Sequence, residues 1–220
     1  MTVLLPRHLR LIVITDATLA RPRSVEFMVE AALAAGAPAI QLRDKSGDVR
    51  QALPLARMLR MATRRANALL FVNDRLDLAL AVGADGVHLG PGDLPVSAVR
   101  AVAPAGFLIG CSTDEPQMAR RLEEAGADYI GCGAVWRTGS KEDADDEIGL
   151  EGLSRVVEAV SIPVVGIGGV SVERIDRIPT TGAAGAAVIS AVMAAEDPGR
   201  VVRRLLAPWR GSDRPFPLSP

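Results

Sequence analysis

Residues 81–89 read AVGADGVHL, residues 124–131 read EAGADYIG and residues 180–189 read TTGAAGAAVI. Each stretch has the same grammar: the end of a helical pattern, a glycine that stops it, and a short apolar run. Gly36, after Ala35, is a further stop of this kind. Working outward from these corners, apolar runs suited to strands fall at 11–15, 39–42, 69–72, 86–89, 108–110, 129–132, 164–167 and 186–189. Between them, segments of helical periodicity occupy 25–35, 49–65, 115–125, 150–160 and 198–206. The apolar runs do not alternate with polar residues as half-exposed strands would. They read as strands buried on both faces, the pattern of a parallel sheet.

Eight strand–helix units, one about every 25 residues across roughly 205, fit a single-domain α/β chain folded as a small (β/α)8 TIM barrel. A doubly wound sheet is the competing arrangement. The catalytic domain is expected to span residues 1–207. Residues 208–220 carry four prolines and read as a flexible C-terminal tail.

Composition narrows the function classes. Lys and Arg number 25 against 26 Asp and Glu, a net charge of −1 that gives no electrostatic case for nucleic acid. At 49% hydrophobic, the chain can bury a full core, so disorder is excluded. No uncharged apolar run approaches the roughly 18 residues of a membrane span. Arg7 and Arg10 precede a short apolar run that ends at Thr15 and Asp16, which reads as a strand and not as a signal peptide. Two cysteines, Cys111 and Cys132, make no disulfide framework, so a reducing cytoplasm is the expected compartment. Only two of the basic residues are lysines, Lys45 and Lys141. In so arginine-rich a chain, retained ammonium groups suggest a need for a compact, flexible charge.

In a barrel of this type, functional groups sit just after the strands, at the C-terminal face. There the sequence places QLRDK, ND, GPGD, CS, a long loop, GG and S after the second to eighth strands. Asp74 and Asp93 follow neighbouring strands, so their carboxylates can converge. Two carboxylates with few other ligands suit Mg²⁺, which keeps water and adds substrate phosphate oxygens. The competing reading has Asp74 capping the helix that begins near residue 75 and Asp93 serving a turn. Gln41, Arg43 and Lys45 leave the second strand at alternating positions and so face one way, into the mouth, where an anion would relieve the two charges. A local ion pair with Asp44 or Asp48 is the alternative for Arg43 and Lys45.

Residues 133–149 form the longest loop. Thr138, Gly139, Ser140 and Lys141 within it suit oxyanion binding by a mobile lid, whereas the acidic run 142–147 reads as a solvated face. Gly168–Gly169 and Ile189–Ser190 follow the last two strands, where barrels commonly bind phosphate through backbone N–H groups. His88 reads as a packed strand residue and His8 as a surface one. Neither the cysteines nor the histidines have spacing suited to zinc.

These motifs resemble those of the thiamine phosphate synthase family, within the superfamily it shares with the thiazole tautomerases. The resemblance runs through LIVITD, IQLRDK, FVNDRLDLALAVGADGVHLGPGDLP, IGCS, GADYIGCGAVWRTGSK, PVVGIGGV and AAVISAV. It implies a Mg²⁺-dependent transferase of thiamine biosynthesis. That enzyme joins a hydroxymethylpyrimidine diphosphate to a thiazole phosphate, giving thiamine phosphate and diphosphate, by dissociative loss of diphosphate and capture of the cation by the thiazole nitrogen. Gln41, Arg43, Lys45, Asn73, Ser112 and Lys141 match contacts to the pyrimidine diphosphate, with Arg43, Lys45, Ser112 and Lys141 as the catalytic groups. Asp74 and Asp93 match the Mg²⁺ ligands. Thr138, Gly139, Ser140, Gly169, Ile189 and Ser190 match the thiazole-phosphate site. Ser140 stands in place of a more usual Thr, and Ala134, Trp136 and Arg137 in place of Pro, Phe and Pro. Asp114 stands where many relatives carry His. The competing functions are a thiazole tautomerase, which needs a proton-transfer residue and no metal–diphosphate apparatus, and a non-catalytic binder of thiamine precursors. Small molecules are the expected partners, with no nucleic acid and no membrane. A homo-oligomer is compatible with the sequence, which does not fix the oligomeric state.

Overall fold

A computed structural model of the chain describes residues 5–44, 47–138 and 147–210. Its strands are β1 (Leu11–Ile14), β2 (Ala39–Leu42), β3 (Leu69–Asn73), β4 (Gly86–Leu89), β5 (Leu108–Ser112), β6 (Tyr129–Cys132), β7 (Val164–Ile167) and β8 (Gly185–Val188). They close into one barrel in sequence order, and each neighbouring pair is parallel. The barrel expected from the strand–helix rhythm is therefore the observed one, and a doubly wound sheet is excluded.

The helices are α1 (Leu5–Leu9), α2 (Val25–Ala34), α3 (Val49–Arg65), α4 (Leu76–Val82), α5 (Val96–Val102), α6 (Pro116–Glu124), α7 (Gly149–Ala159), α8 (Ser190–Met193) and α9 (Pro198–Leu205). After β7 the crossover is two 3-10 turns, Ile175–Arg177 and Pro179–Thr181, in place of a full helix. Pro179 has no amide hydrogen to give to the Ile175 carbonyl, so an α-helix cannot run through this segment intact. Side chains fix several helix starts: Ser24 accepts from the Phe27 amide and Asp197 from the Arg200 amide. Packing continues past Ala207, because the turn Ala207–Trp209 buries the Trp209 indole in the main core. No helix among the described residues is long and apolar enough to cross a membrane.

Both faces of the sheet are buried, which is why the strands show no polar alternation. Leu11, Val13, Ile40, Leu42, Leu70, Val87, Ile109 and Ile130 belong to the core between strands and helices. Ile12, Ile14, Ala39, Phe71, Tyr129, Val165 and Ala187 form a second cluster inside the barrel, joined by Leu9 of α1. Interior space is tight. A Cβ on Gly110 would overlap the Tyr129 ring, and one on Gly86 would lie 2.9 Å from Phe71 Cδ1. These inward glycines leave room for Phe71 and Tyr129, which meet edge to face with centroids 5.3 Å apart.

The recurrent GAD corners have a structural cause. Asp85 Oδ2 accepts from the Leu70 amide of β3 at 2.8 Å and from Arg60 of α3. Asp128 Oδ2 accepts in the same way from the Ile109 amide of β5 at 2.7 Å and from Arg100 of α5. Each carboxylate ties the start of one strand to its neighbour and to a helix. The third corner has Ala184 at that position and so lacks the carboxylate contacts. It keeps the backbone bond that all three corners share, its amide donating to the Val164 carbonyl as Asp85 and Asp128 donate to the Leu70 and Ile109 carbonyls. Asp128→Ala leaves the Ile109 amide without its side-chain acceptor and takes the carboxylate from Arg100, which keeps the Phe107 and Gly126 carbonyls. It is expected to lower the unfolding free energy by about 2 kcal/mol. Urea denaturation, with the exposed Asp176→Ala changing stability by less than about 0.5 kcal/mol as control, checks it.

Candidate active site

The C-terminal ends of the strands enclose a cavity of about 450 Å³. Arg43, Asn73, Asp74, Asp93, Ser112, Thr138, Gly169, Ile189 and Ser190 line it, so the site residues expected from sequence, where described, meet at one mouth. Gln41 sits one layer deeper, beside a small void, and its Nε2 donates to Asn73 Oδ1 at 2.6 Å. Lys45, Gly139, Ser140 and Lys141 lie outside the described residues.

Asp74 leaves β3 in a left-handed conformation, φ 64°, which Asp tolerates better than most side chains. Its amide donates to the His88 carbonyl of β4 at 2.8 Å, locking the bend. The helix-capping alternative does not hold. The cap of α4 is Arg75, no side chain caps that helix, and Arg75 pairs with Asp77. Asp93 does serve its turn, since its Oδ2 accepts from the Gly90 amide at 2.6 Å. It also reaches the Asp74 carboxyl, so the turn and the convergence coexist. Burial, the hydrogen bond from Asp93 and repulsion by Asp93 push the Asp74 carboxyl up to about 6, against the pull of Asn73 and Arg43. A proton shared between the two carboxyls relieves their repulsion, and a divalent cation would do the same more strongly.

Arg43 does not pair with Asp44 or Asp48. Its Nη1 faces Asp16 Oδ2 at a loose 3.7 Å, and that nitrogen is buried without a hydrogen bond. Its backbone is held by Thr15, whose Oγ1 accepts from the Arg43 amide at 3.0 Å. Asp16 is itself fixed, its Oδ1 accepting from the Thr18 and Leu19 amides. A buried guanidinium nitrogen without a hydrogen bond carries a desolvation cost that an anionic oxygen would remove.

Across the barrel, Gly168 and Gly169 have φ 94° and 62°. A Cβ on Gly169 would lie 2.7 Å from Trp136 Cβ, and one on Gly168 would lie 2.7 Å from Ala134 Cα. The pair is thus demanded by the close pass of the loop after β6 as well as by the cavity it lines. Ala134 and Trp136 are buried, and the Arg174 guanidinium lies over the Trp136 ring, 5.5 Å from its centroid. The neck of the long loop is tied by Ile148 N to Ala134 O at 2.9 Å and by Arg137 N to Glu147 Oε2 at 3.2 Å.

Three groups escaped the sequence reading as parts of the site. Asp16, after β1, sits at the C-terminal edge like the others, and its position was the available signal. His88 is packed, as expected, yet it also lines the cavity, with Nε2 2.8 Å from Ser112 Oγ and Nδ1 2.9 Å from the Tyr129 hydroxyl. Tyr129, the only tyrosine, carries no local signal in its apolar strand. The cysteines are buried, and burial pushes both thiols up to about 12, so neither is a nucleophile at neutral pH.

Closed parallel barrel, polar mouth, paired carboxyls and a buried guanidinium together define a (β/α)8 enzyme-type site suited to small anionic ligands. The family described as thiamine monophosphate synthase matches residues 11–192 of the chain. A thiamine-phosphate synthase of Pyrococcus furiosus is 47% identical over 201 residues, covering 91% of this chain and 95% of that protein. One of Archaeoglobus fulgidus is 45% identical over 199 residues, covering 90% and 92%. The solved structure of thiamine phosphate pyrophosphorylase from Pyrococcus furiosus superposes with a TM-score of 0.84 at 44% identity, covering 92% of this chain and 96% of that one. The chain belongs to the thiamine monophosphate synthase family.

The raised Asp74 pKa has a stability consequence in divalent-free buffer. The contribution of the protonated carboxyl is full below its ordinary value of 3.8 and is lost as pH rises through about 6. Asp74→Asn is expected to stabilise the cation-free protein at pH 7 by about 1 kcal/mol, a figure discounted for the exposure of this side chain. Urea denaturation from pH 4 to 7 should also show a flatter profile for the variant.

Proposed function

We propose that this barrel is a transferase that joins a hydroxymethylpyrimidine diphosphate to a thiazole phosphate, forming thiamine phosphate and releasing diphosphate. Family membership supports the chemistry. The observation that carries it at the site is the buried Arg43 Nη1, lacking a hydrogen bond, beside the paired Asp74 and Asp93 carboxyls. That arrangement is costly in an empty mouth and favourable around a diphosphate with its cation.

Asp74 and Asp93 would hold Mg²⁺. Among the described residues no group of three or more His, Cys, Asp or Glu side chains gathers as a metal cage. Two carboxylates suit a cation that completes its shell with water and diphosphate oxygens. When bound, Mg²⁺ supplies stabilisation of the negative charge on the departing diphosphate. Arg43 adds positive charge to the same oxygens and Ser112 a hydroxyl, and the family resemblance assigns Lys45 and Lys141 to the same diphosphate. Gln41 and Asn73, already hydrogen-bonded to each other, orient the pyrimidine end. Thr138, Gly169, Ile189 and Ser190 would hold the thiazole phosphate from the opposite wall, and the family resemblance adds Gly139 and Ser140 to that site. The bond between the pyrimidinyl methylene carbon and the diphosphate oxygen breaks, with its electron pair leaving on diphosphate. The thiazole nitrogen lone pair then forms the new carbon–nitrogen bond. No base is required, because the attacking nitrogen carries no proton to lose.

Thiamine phosphate formation from both substrates should depend on Mg²⁺ and stop when the cation is chelated; turnover unaffected by chelation would overturn the metal assignment. Asp93→Ala and Arg43→Gln are each expected to lower kcat by about 100-fold or more, with circular dichroism unchanged. Lys141→Ala should slow coupling more than it weakens thiazole-phosphate binding, which single-turnover and binding measurements separate.

A further inference from the structure

From beneath the mouth up to its wall, a line of polar groups crosses three strands: buried Tyr129 of β6, buried His88 of β4 and half-buried Ser112 of β5. The Tyr129 hydroxyl lies 2.9 Å from His88 Nδ1, and His88 Nε2 lies 2.8 Å from Ser112 Oγ. The tyrosine is 1% exposed and His88 8%. We infer that Tyr129 is a positioning residue that, through His88, fixes Ser112 as a hydrogen-bond donor to the ligand in the mouth.

The polarity follows from satisfying each buried donor. A buried phenolic proton must find an acceptor, and Nδ1 of His88 is the acceptor within reach of Tyr129. Nδ1 must then present its lone pair, so the proton of a neutral imidazole resides on Nε2. Nε2–H in turn donates to Ser112 Oγ. With its oxygen accepting from the ring, the serine hydroxyl proton is directed away from His88. Ser112 lines the cavity, so that proton is presented to an anionic oxygen there. The reverse polarity would bury the phenolic proton unpaired and turn the serine proton back toward the ring, a loss on both counts. Burial also keeps the phenol protonated, since the Tyr129 pKa is raised well above 10 by desolvation first of all. Geometry holds the three groups in line. The Tyr129 and His88 rings lie 5.4 Å apart, and Cβ atoms at Gly110 and Gly131 would press on Tyr129 and His88 respectively.

The identity of the oxygen that Ser112 serves rests on the diphosphate reading above, but the tautomer does not. Long-range ¹H–¹⁵N correlation spectra of the ligand-free protein at neutral pH read it directly. The chain has only two histidines, and His8→Gln assigns them. His88 is expected as the Nε2–H tautomer in the parent. In Tyr129→Phe, which keeps the ring and removes the hydroxyl, it should shift toward the Nδ1–H form. An Nδ1–H parent, or a Tyr129→Phe spectrum identical to the parent, overturns the inference whatever reaction the protein catalyses. Tyr129→Phe should also lower kcat by about tenfold while KM changes less than about twofold. It should cost little further in a Ser112→Ala background, because the two act through one hydroxyl. Additive losses would overturn the relay, and isothermal titration with inorganic diphosphate gives the same comparison without turnover.

Discussion

A closed parallel barrel buries both faces of every strand, and the narrow interior is the constraint from which the rest of this structure follows. Few side chains fit inside, so small and large residues must face each other across neighbouring strands. Gly110 pairs in register with Tyr129, and Gly86 with Phe71. The aromatic pair plugs the barrel and gives the mouth an apolar floor. Above it the inward positions turn polar, at Gln41, Asn73, His88 and Ser112. Polar groups at that depth are tolerated only when paired, so Gln41 bonds Asn73 and His88 bonds both Tyr129 and Ser112. A packing rule thereby yields side chains held in fixed orientations beneath a binding site.

Above this rigid layer the mouth is electrostatically tense. Two carboxyls are held in contact, one of them from a left-handed backbone position, and a buried arginine nitrogen lacks a hydrogen bond. Each feature opposes folding on its own, and the surrounding barrel over-determines all of them. Cation and anion together would satisfy both signs of charge in the same small volume. The apolar ladder beneath and the Asp85 and Asp128 corners at the strand starts supply the stability that lets the mouth remain unfavourable when empty.

Much of this was legible in sequence for a definite reason. Strand–helix corners are local: Gly83, Gly126 and Gly182 all adopt positive φ at the helix ends where the repeated motif places them. Once eight strand–helix units imply a barrel, the residues after each strand are assigned to the mouth without knowledge of any contact. Asp74, Asp93, Asn73 and Ser112 were found that way. The same logic failed where function depends on a partner distant in sequence. His88 looked like packing because its ring is packed; its two hydrogen bonds reach Ser112 and Tyr129, 24 and 41 residues away. Arg43 was given nearby Asp44 or Asp48 as alternatives, yet it faces Asp16 from the neighbouring strand.

The sequence by itself determined the barrel, the family and the set of groups brought to its mouth, because turn glycines, apolar periodicity and strand-end position are properties of short stretches of chain. Only the tertiary structure decided which of those groups touch, which oxygen or nitrogen each one faces, and which buried proton must go where. Those choices arise from register between strands and from the volume left by opposing glycines, quantities that exist only once the sheet has closed.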